Sequence, residues 1–196
     1  PRFVQAEYED RYDRMIGQER IDFIDTYSAA YRRDILLENG GKNDFAFGDE
    51  YPYEPVKADK VIKDGEIIKL GNVSLKVIST PGHTKGCTSF WLEIKENDKK
   101  YSVLFHGSTT APGYKFPNEK YPNIIADYEK TFNLLKKLKP DVFLASHGNF
   151  FDLLGKIEKL QQNKSINPFL ESQTYQHFLA DTEKDLREKI KAQQTK

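Results

Sequence analysis

Residues 73–89, with the sequence VSLKVISTPGHTKGCTS, contain the pattern on which the fold prediction rests. Apolar side chains alternate along residues 73–77, which predicts a β-strand that buries one face. The strand leads into TPGHTKG at residues 80–86, where glycines on both sides of His83 allow the backbone to turn. Loops that follow buried strands often carry functional side chains, because the sheet holds them rigidly. The stretch therefore predicts that His83 lies at the edge of a sheet.

A second predicted strand ends in a similar loop. Residues 142–145, VFLA, are wholly apolar, as is typical of a strand inside a sheet, and residues 146–149 continue as SHGN. Imidazole is the commonest metal ligand, so the repeated arrangement favours a zinc site that includes His83 and His147. A histidine beside a turn also occurs for structural reasons alone, and a catalytic zinc needs about three protein ligands. On spacing alone, both interpretations stay open.

The other candidate residues give weaker signals. His106 ends a predicted strand before Gly107-Ser108, which is compatible with a place near the same edge. His177 falls among polar neighbours within a predicted helix, and we expect it to lie on the surface. Cys87 is the only cysteine, which excludes an internal disulfide and a zinc site made of cysteines. Ser108 has no adjacent histidine and aspartate pattern, so a serine hydrolase triad is not indicated.

The composition limits the classes of protein to which the chain can belong. Its 196 residues suit one domain with a sizeable core, and 38% of them are hydrophobic, which excludes a disordered chain. The 30 basic and 30 acidic side chains balance, whereas a nucleic-acid-binding protein usually carries a basic excess. No apolar run approaches the length of about 18 residues that a membrane-spanning helix needs. We therefore expect neither nucleic acid nor a membrane as a partner.

Periodicity and turn residues predict an α+β architecture, in which a sheet carries helices on one face. A hairpin is predicted around Asp64-Gly65, where it would join strands at residues 60–63 and 66–70. The other elements predicted from the pattern are a short strand at 2–6, strands at 87–94 and 101–105, and helices at 21–35, 128–138, 152–162 and 172–190.

The segment 80–89, TPGHTKGCTS, closely resembles the loop that carries the third histidine ligand in metallo-β-lactamases of subclass B3. The PGHT part is common to the whole superfamily of metallo-hydrolases, but its combination with the other matching segments is narrower. The likeness continues in order along the chain, in the segments DFAFG (44–48), PV (55–56), GSTTAPGY (107–114), ASHGNFFDL (145–153) and NPF (167–169).

The resemblance implies a fold, a set of site residues and a reaction. The family fold is an αβ/βα sandwich of two facing sheets with helices outside, of which this chain would form mostly the C-terminal half. His83 and His147 match ligands of the first and the second zinc ion. Ser108 matches a serine that contacts zinc-bound water, and Ser108 and Thr110 match positions that touch the substrate carboxylate. The family reaction is hydrolysis of the β-lactam amide by zinc-bound hydroxide, which gives antibiotic resistance, and family members are usually exported to the periplasm.

The chain departs from the family pattern in its N-terminal part. The family's other four ligands come from an H-x-H-x-D-H motif, which residues 1–196 do not contain. We therefore predict a partial domain over 1–196, whose missing N-terminal half supplies the remaining zinc ligands and whose substrate is a small β-lactam. Two alternatives stay open: another superfamily hydrolase, such as a lactonase or thioesterase, or a catalytically incomplete fragment without metal. Lactonases and thioesterases usually carry an aspartate at the position of Ser108, which favours the β-lactamase.

Overall fold

The computed structural model describes residues 42–50, 60–96 and 98–194. The strand predicted at 2–6 and the helix predicted at 21–35 lie outside these residues. Two strands begin and end where the sequence predicts them, and the bounds of all elements are β1 (Ile67–Leu70), β2 (Val73–Ser79), β3 (Thr88–Glu96), β4 (Lys99–His106), α1 (Ile124–Leu135), β5 (Val142–Ala145), a 3₁₀ turn (Gly148–Phe151), α2 (Leu153–Gln162) and α3 (Gln173–Gln194).

The five strands form one mixed sheet in the order β1-β2-β3-β4-β5. Neighbours from β1 to β4 are antiparallel, whereas β5 pairs with β4 in parallel after the chain crosses over through α1. This arrangement confirms the predicted α+β fold. Because β3 runs opposite to β2 and β4, the ends of β2, β4 and β5 and the start of β3 all lie at one edge of the sheet. We call this the site edge.

One face of the sheet packs against the helices. Trp91, Leu104 and Phe143 are register partners across three strands and belong to the same core cluster. Phe143 is fully buried, and its ring centroid lies 5.0 Å from that of Tyr175 and 5.5 Å from that of Phe178, both on α3. Close packing of these large rings fixes the helix layer against the sheet. In the described part of the chain, no helix is long and apolar enough to cross a membrane.

The opposite face of the sheet also carries an apolar row. Val77, Phe90 and Phe105 are register partners across β2, β3 and β4. Val77 is buried, whereas Phe90 and Phe105 are half-buried. Both faces of the central strands are therefore apolar, as is typical of a sheet that lies between two layers.

The hairpin predicted at Asp64-Gly65 is wrong, because residues 60–63 do not form a strand. The Asp64 carboxylate instead accepts a hydrogen bond from the Ser79 backbone N–H at 2.8 Å, and Gly65 N–H donates to the Val77 carbonyl. The turn therefore lies against the end of β2. The tight turn between β1 and β2 is Gly71-Asn72, with Gly71 at φ +57°.

A buried lysine joins α2 to the start of α3. The Lys156 side chain is 3% exposed, and its Nζ lies 2.8 Å from Glu171 Oε1 and 5.6 Å from the centroid of the Phe169 ring. The backbone N–H of Thr174 donates to the same carboxylate. Burial by itself raises the pKa of Glu171, but the ion pair with Lys156 and the hydrogen bonds from Thr174 outweigh it and lower the pKa to about 2.

We expect Glu171→Gln to lower the free energy of unfolding by about 1–3 kcal/mol at pH 7, because it leaves the Lys156 ammonium buried without an anion. A carboxylate with a lowered pKa stabilises the fold fully above the pKa of the unfolded state, near 4.5, and this contribution is lost as the pH falls towards 2. Denaturant unfolding at pH 7 and pH 2.5 should therefore show a smaller difference between variant and parent at the lower pH. Asp185→Asn, which removes an exposed pair with Lys189, is the control and should change little. An equal loss at both pH values would contradict this assignment.

Candidate metal centre

The structure brings the three loops that carry the predicted site residues to the site edge. His83 follows β2, Ser108 follows β4, and His147 follows β5. Two hydrogen bonds join neighbouring loops at this edge: the Ser146 hydroxyl donates to the Gly107 carbonyl at 2.7 Å, and the Ser146 backbone N–H donates to the His106 carbonyl at 3.2 Å. The loops that carry Ser108 and His147 are thus directly joined.

The side chain of His83 is oriented by a backbone carbonyl. His83 Nδ1 lies 2.7 Å from the carbonyl oxygen of Thr110, and because a carbonyl can only accept, Nδ1 carries the proton. The lone pair is then on Nε2, as in most histidines that ligate a metal. Burial lowers the pKa of His83, the hydrogen bond to Thr110 opposes this shift, and the charge of His147 adds to it. His83 is therefore neutral at pH 7, which is the form that binds a metal.

Two tyrosines support this arrangement, and the sequence patterns did not assign either to the site. The Tyr114 ring stacks on His83 with centroids 5.9 Å apart, and its hydroxyl donates to the His83 carbonyl at 2.7 Å. The Tyr128 hydroxyl donates to the Thr110 carbonyl, also at 2.7 Å. Burial raises the pKa of Tyr128, so its hydroxyl keeps the proton that it donates. Helical periodicity identifies Tyr128 as a core residue, but it gives no information on the partner of the hydroxyl.

The backbone before His83 approaches α1 very closely. Gly82 has φ +134°, and a Cβ atom there would lie 2.7 Å from two carbons of the Tyr128 ring. The Thr131 hydroxyl donates to the Pro81 carbonyl at 2.6 Å. A glycine is therefore required at position 82 both by the backbone angle and by the space available.

The hydroxyls of Ser108 and Thr110 point at each other, with 3.0 Å between Oγ and Oγ1. The Thr110 backbone N–H also donates to Ser108 Oγ at 3.2 Å. Ser108 is buried, whereas Thr110 is half-buried. The loop thus presents two hydroxyls in a fixed relation, beside the carbonyl that orients His83.

The remaining histidines differ from one another in burial. His147 is exposed and precedes the 3₁₀ turn, with its ring 4.9 Å from that of Phe150. His106 lies at the site edge as its sequence position suggested, but it is fully buried. His177 is exposed on α3, as expected.

The described residues offer His83 and His147 as imidazole ligands. Among the described residues, no group of three or more histidine, cysteine, aspartate or glutamate side chains is placed to hold a metal ion. The tautomer of His83 suits zinc, but two ligands are fewer than the three or more protein ligands that a catalytic zinc uses. The described residues therefore fit part of a zinc site.

Comparison with known proteins relates the chain to solved structures, although no family model matches it. The metallo-β-lactamase FEZ-1 from Legionella gormanii is 33% identical with a TM-score of 0.77, over 82% of this chain and 63% of that chain. The metallo-β-lactamase GOB-18 from Elizabethkingia meningoseptica is 41% identical with a TM-score of 0.70, over 80% of this chain and 59% of that chain. The hydroxyacylglutathione hydrolase GloC from Haemophilus influenzae is 29% identical over 112 residues, which are 57% of this chain and 48% of that protein. The chain thus spans about half the length of this curated relative.

Proposed function

Because the chain belongs to the metallo-β-lactamase superfamily, with the fold of the C-terminal part of a subclass B3 enzyme, we propose that it is part of a zinc-dependent hydrolase that opens β-lactams. The observation that carries the proposal is the orientation of His83, whose Nδ1 is occupied by the Thr110 carbonyl so that Nε2 is available to a metal. His147 would be a second ligand.

Zinc in such a site supplies Lewis acidity and a water that ionises near pH 7. The chain's own residues hold and orient the reacting groups. The Thr110 carbonyl keeps His83 in its metal-binding tautomer, and the tyrosine hydroxyl of Tyr128 fixes that carbonyl from the other side. The Ser108 hydroxyl would orient the attacking water, and the hydroxyls of Ser108 and Thr110 would donate to the substrate carboxylate.

The remaining ligands would come from an N-terminal part of the same protein. This part would pack on the second apolar face of the sheet, along the row Val77, Phe90 and Phe105. Burying the two half-exposed phenylalanine rings would favour this contact. The partial coverage of FEZ-1 and GOB-18 supports the proposal, since each is longer than the matching part of this chain.

Substrate assays on the complete protein test the proposed reaction. We expect zinc-dependent hydrolysis of a carbapenem that stops when a chelator removes the metal. The likeness to a hydroxyacylglutathione hydrolase supports a second candidate, hydrolysis of thioesters or lactones. Hydroxyacylglutathione and an acyl-homoserine lactone are therefore assayed in parallel. Turnover of either compound without turnover of any β-lactam would replace the β-lactamase proposal by the second one.

We expect Ser108→Ala to leave zinc bound but to slow hydrolysis by about 10–100-fold, because the hydroxyl orients water and substrate without ligating the metal. Metal analysis and steady-state kinetics on the complete protein measure the two effects separately. Ser165→Ala is the control, because Ser165 is exposed and lies outside the three loops at the site edge. It should leave the zinc content and the rate of hydrolysis unchanged. Unchanged kinetics in Ser108→Ala would remove this serine from the site.

A further inference from the structure

A polar network lies beneath the site edge, between the sheet and the helices. His106 is the last residue of β4, and its ring is fully buried. Its Nδ1 lies 3.0 Å from the hydroxyl of Ser89 on β3. The same Ser89 oxygen lies 3.0 Å from Thr80 Oγ1 and accepts a hydrogen bond from the Gly107 backbone N–H at 3.2 Å. Groups from the ends of three neighbouring strands thus meet at one hydroxyl.

The network reaches the first residues of two loops of the candidate metal centre. Thr80 begins the loop that carries His83, and Gly107 directly precedes Ser108. The backbone of Gly107 lies close against the start of β3, because a Cβ atom there would be only 2.6 Å from the Thr88 carbonyl oxygen. A shift of Ser89 would therefore be passed on to both loops.

The other side of the His106 ring leads to the third loop. The ring packs edge to face against Phe178 at 5.7 Å, Phe178 packs on Phe150 at 4.9 Å, and Phe150 packs on His147 at 4.9 Å. The His106 carbonyl also accepts a hydrogen bond from the Ser146 backbone N–H. His106 is thus linked to all three loops at the site edge.

The His106 ring has two nitrogen atoms, and among the described residues only Nδ1 has a hydrogen-bond partner. Within the described part of the chain, Nε2 is buried without a hydrogen-bond partner. Burial lowers the pKa of His106 to about 3, so the ring is neutral at pH 7. A buried nitrogen without a partner destabilises a fold, so an apolar side chain would suit stability better. An apolar residue could not form the hydrogen bond between Nδ1 and Ser89, so this bond is what the histidine contributes.

We propose that His106 is a positioning residue that acts through Ser89 to fix Thr80 and Gly107, and thereby sets the zinc affinity of the centre. This inference rests on the proposed function, since zinc binding is the property that it concerns. The His106 ring is fully buried and does not reach metal or substrate, so it acts on the centre only through the residues that it holds in place.

Two amide variants of the complete protein separate the two ring nitrogens. Asparagine places its amide nitrogen near the position of Nδ1, whereas glutamine reaches the position of Nε2 and loses the contact with Ser89. We expect His106→Gln to weaken zinc binding by about 10–100-fold and His106→Asn to stay within about threefold of the parent, measured by competition with a chelator. Ser89→Ala should match the glutamine variant, and the double variant should show no further loss.

A second measurement reads the network without metal. Amide hydrogen exchange of Gly107 in the chelator-treated protein should be about tenfold faster in His106→Gln, as loss of one hydrogen bond implies, and unchanged in His106→Asn. Equal behaviour of the two variants in zinc affinity or in exchange would overturn the inference. If the parent protein takes up no zinc, the proposed function fails, and the exchange rates alone decide whether His106 positions Gly107.

Discussion

Replacement of His83 by alanine in the complete protein is expected to lower zinc affinity by more than about 100-fold. Loss of a residue that only supports a metal ligand typically lowers metal affinity by about 10–100-fold, and loss of the ligand itself should exceed this. The imidazole would be lost from the metal together with the anchoring contact between Nδ1 and the Thr110 carbonyl. Turnover should fall with zinc content, because the proposed reaction depends on the metal. Metal analysis after dialysis and carbapenem kinetics with zinc in excess measure the two losses.

His177→Ala is the matched control for this experiment. His177 is exposed on α3 and belongs to none of the three loops at the site edge, so its removal should change neither zinc content nor turnover. Equal losses in the two variants would contradict the assignment of His83 as a ligand. Full zinc occupancy in the alanine variant of His83 would contradict it as well.

Replacement of Gly82 by alanine is expected to cost about 2–5 kcal/mol of folding free energy, from steric overlap and backbone strain together. The new methyl group would lie 2.7 Å from two carbons of the buried Tyr128 ring, and φ at this position is +134°. Either the loop or α1 has to move, and His83 moves with the loop. Zinc affinity should therefore fall along with stability, and denaturant unfolding measures the stability part.

Gly113→Ala separates backbone strain from steric overlap. Gly113 also has a positive φ, +64°, but a Cβ atom there meets nothing within 4 Å. We expect a cost of only about 1 kcal/mol, since strain acts alone. If both variants lose the same stability, the close approach of Gly82 to Tyr128 has no energetic importance.

The sequence predicts best those elements whose pattern is local. The strands β2 and β5 have the predicted bounds, because alternation in one and a wholly apolar run in the other leave little choice. The hairpin at Asp64-Gly65 fails, because the Asp64 carboxylate binds the Ser79 backbone N–H, which lies 15 residues away. Turn propensity depends only on the four residues of the turn, so it cannot predict a hydrogen-bond partner that is distant in the sequence.

The same limit applies to the candidate site. The histidine loops could be located from the sequence, since each follows a recognisable strand, and the structure places both at one edge. The groups that orient them were not predicted. The sequence pattern predicts only that Tyr128 is a core residue of a helix and that His106 ends a strand. Their importance depends on contacts with Thr110 and Ser89, which only the three-dimensional arrangement brings near.

The parallel pairing of β5 with β4 also has a consequence for the order of folding. Strands β1 to β4 form a meander of neighbouring segments, whereas β5 closes a long loop, as in the contact of Ser102 with Asp141, 39 residues further along. Contacts of large sequence separation are slow to form, because the entropy of loop closure has to be overcome first. During synthesis, the segment with His83 leaves the ribosome well before the one with His147. We therefore expect zinc capture to accompany the final closure of β5 rather than the early collapse of the meander.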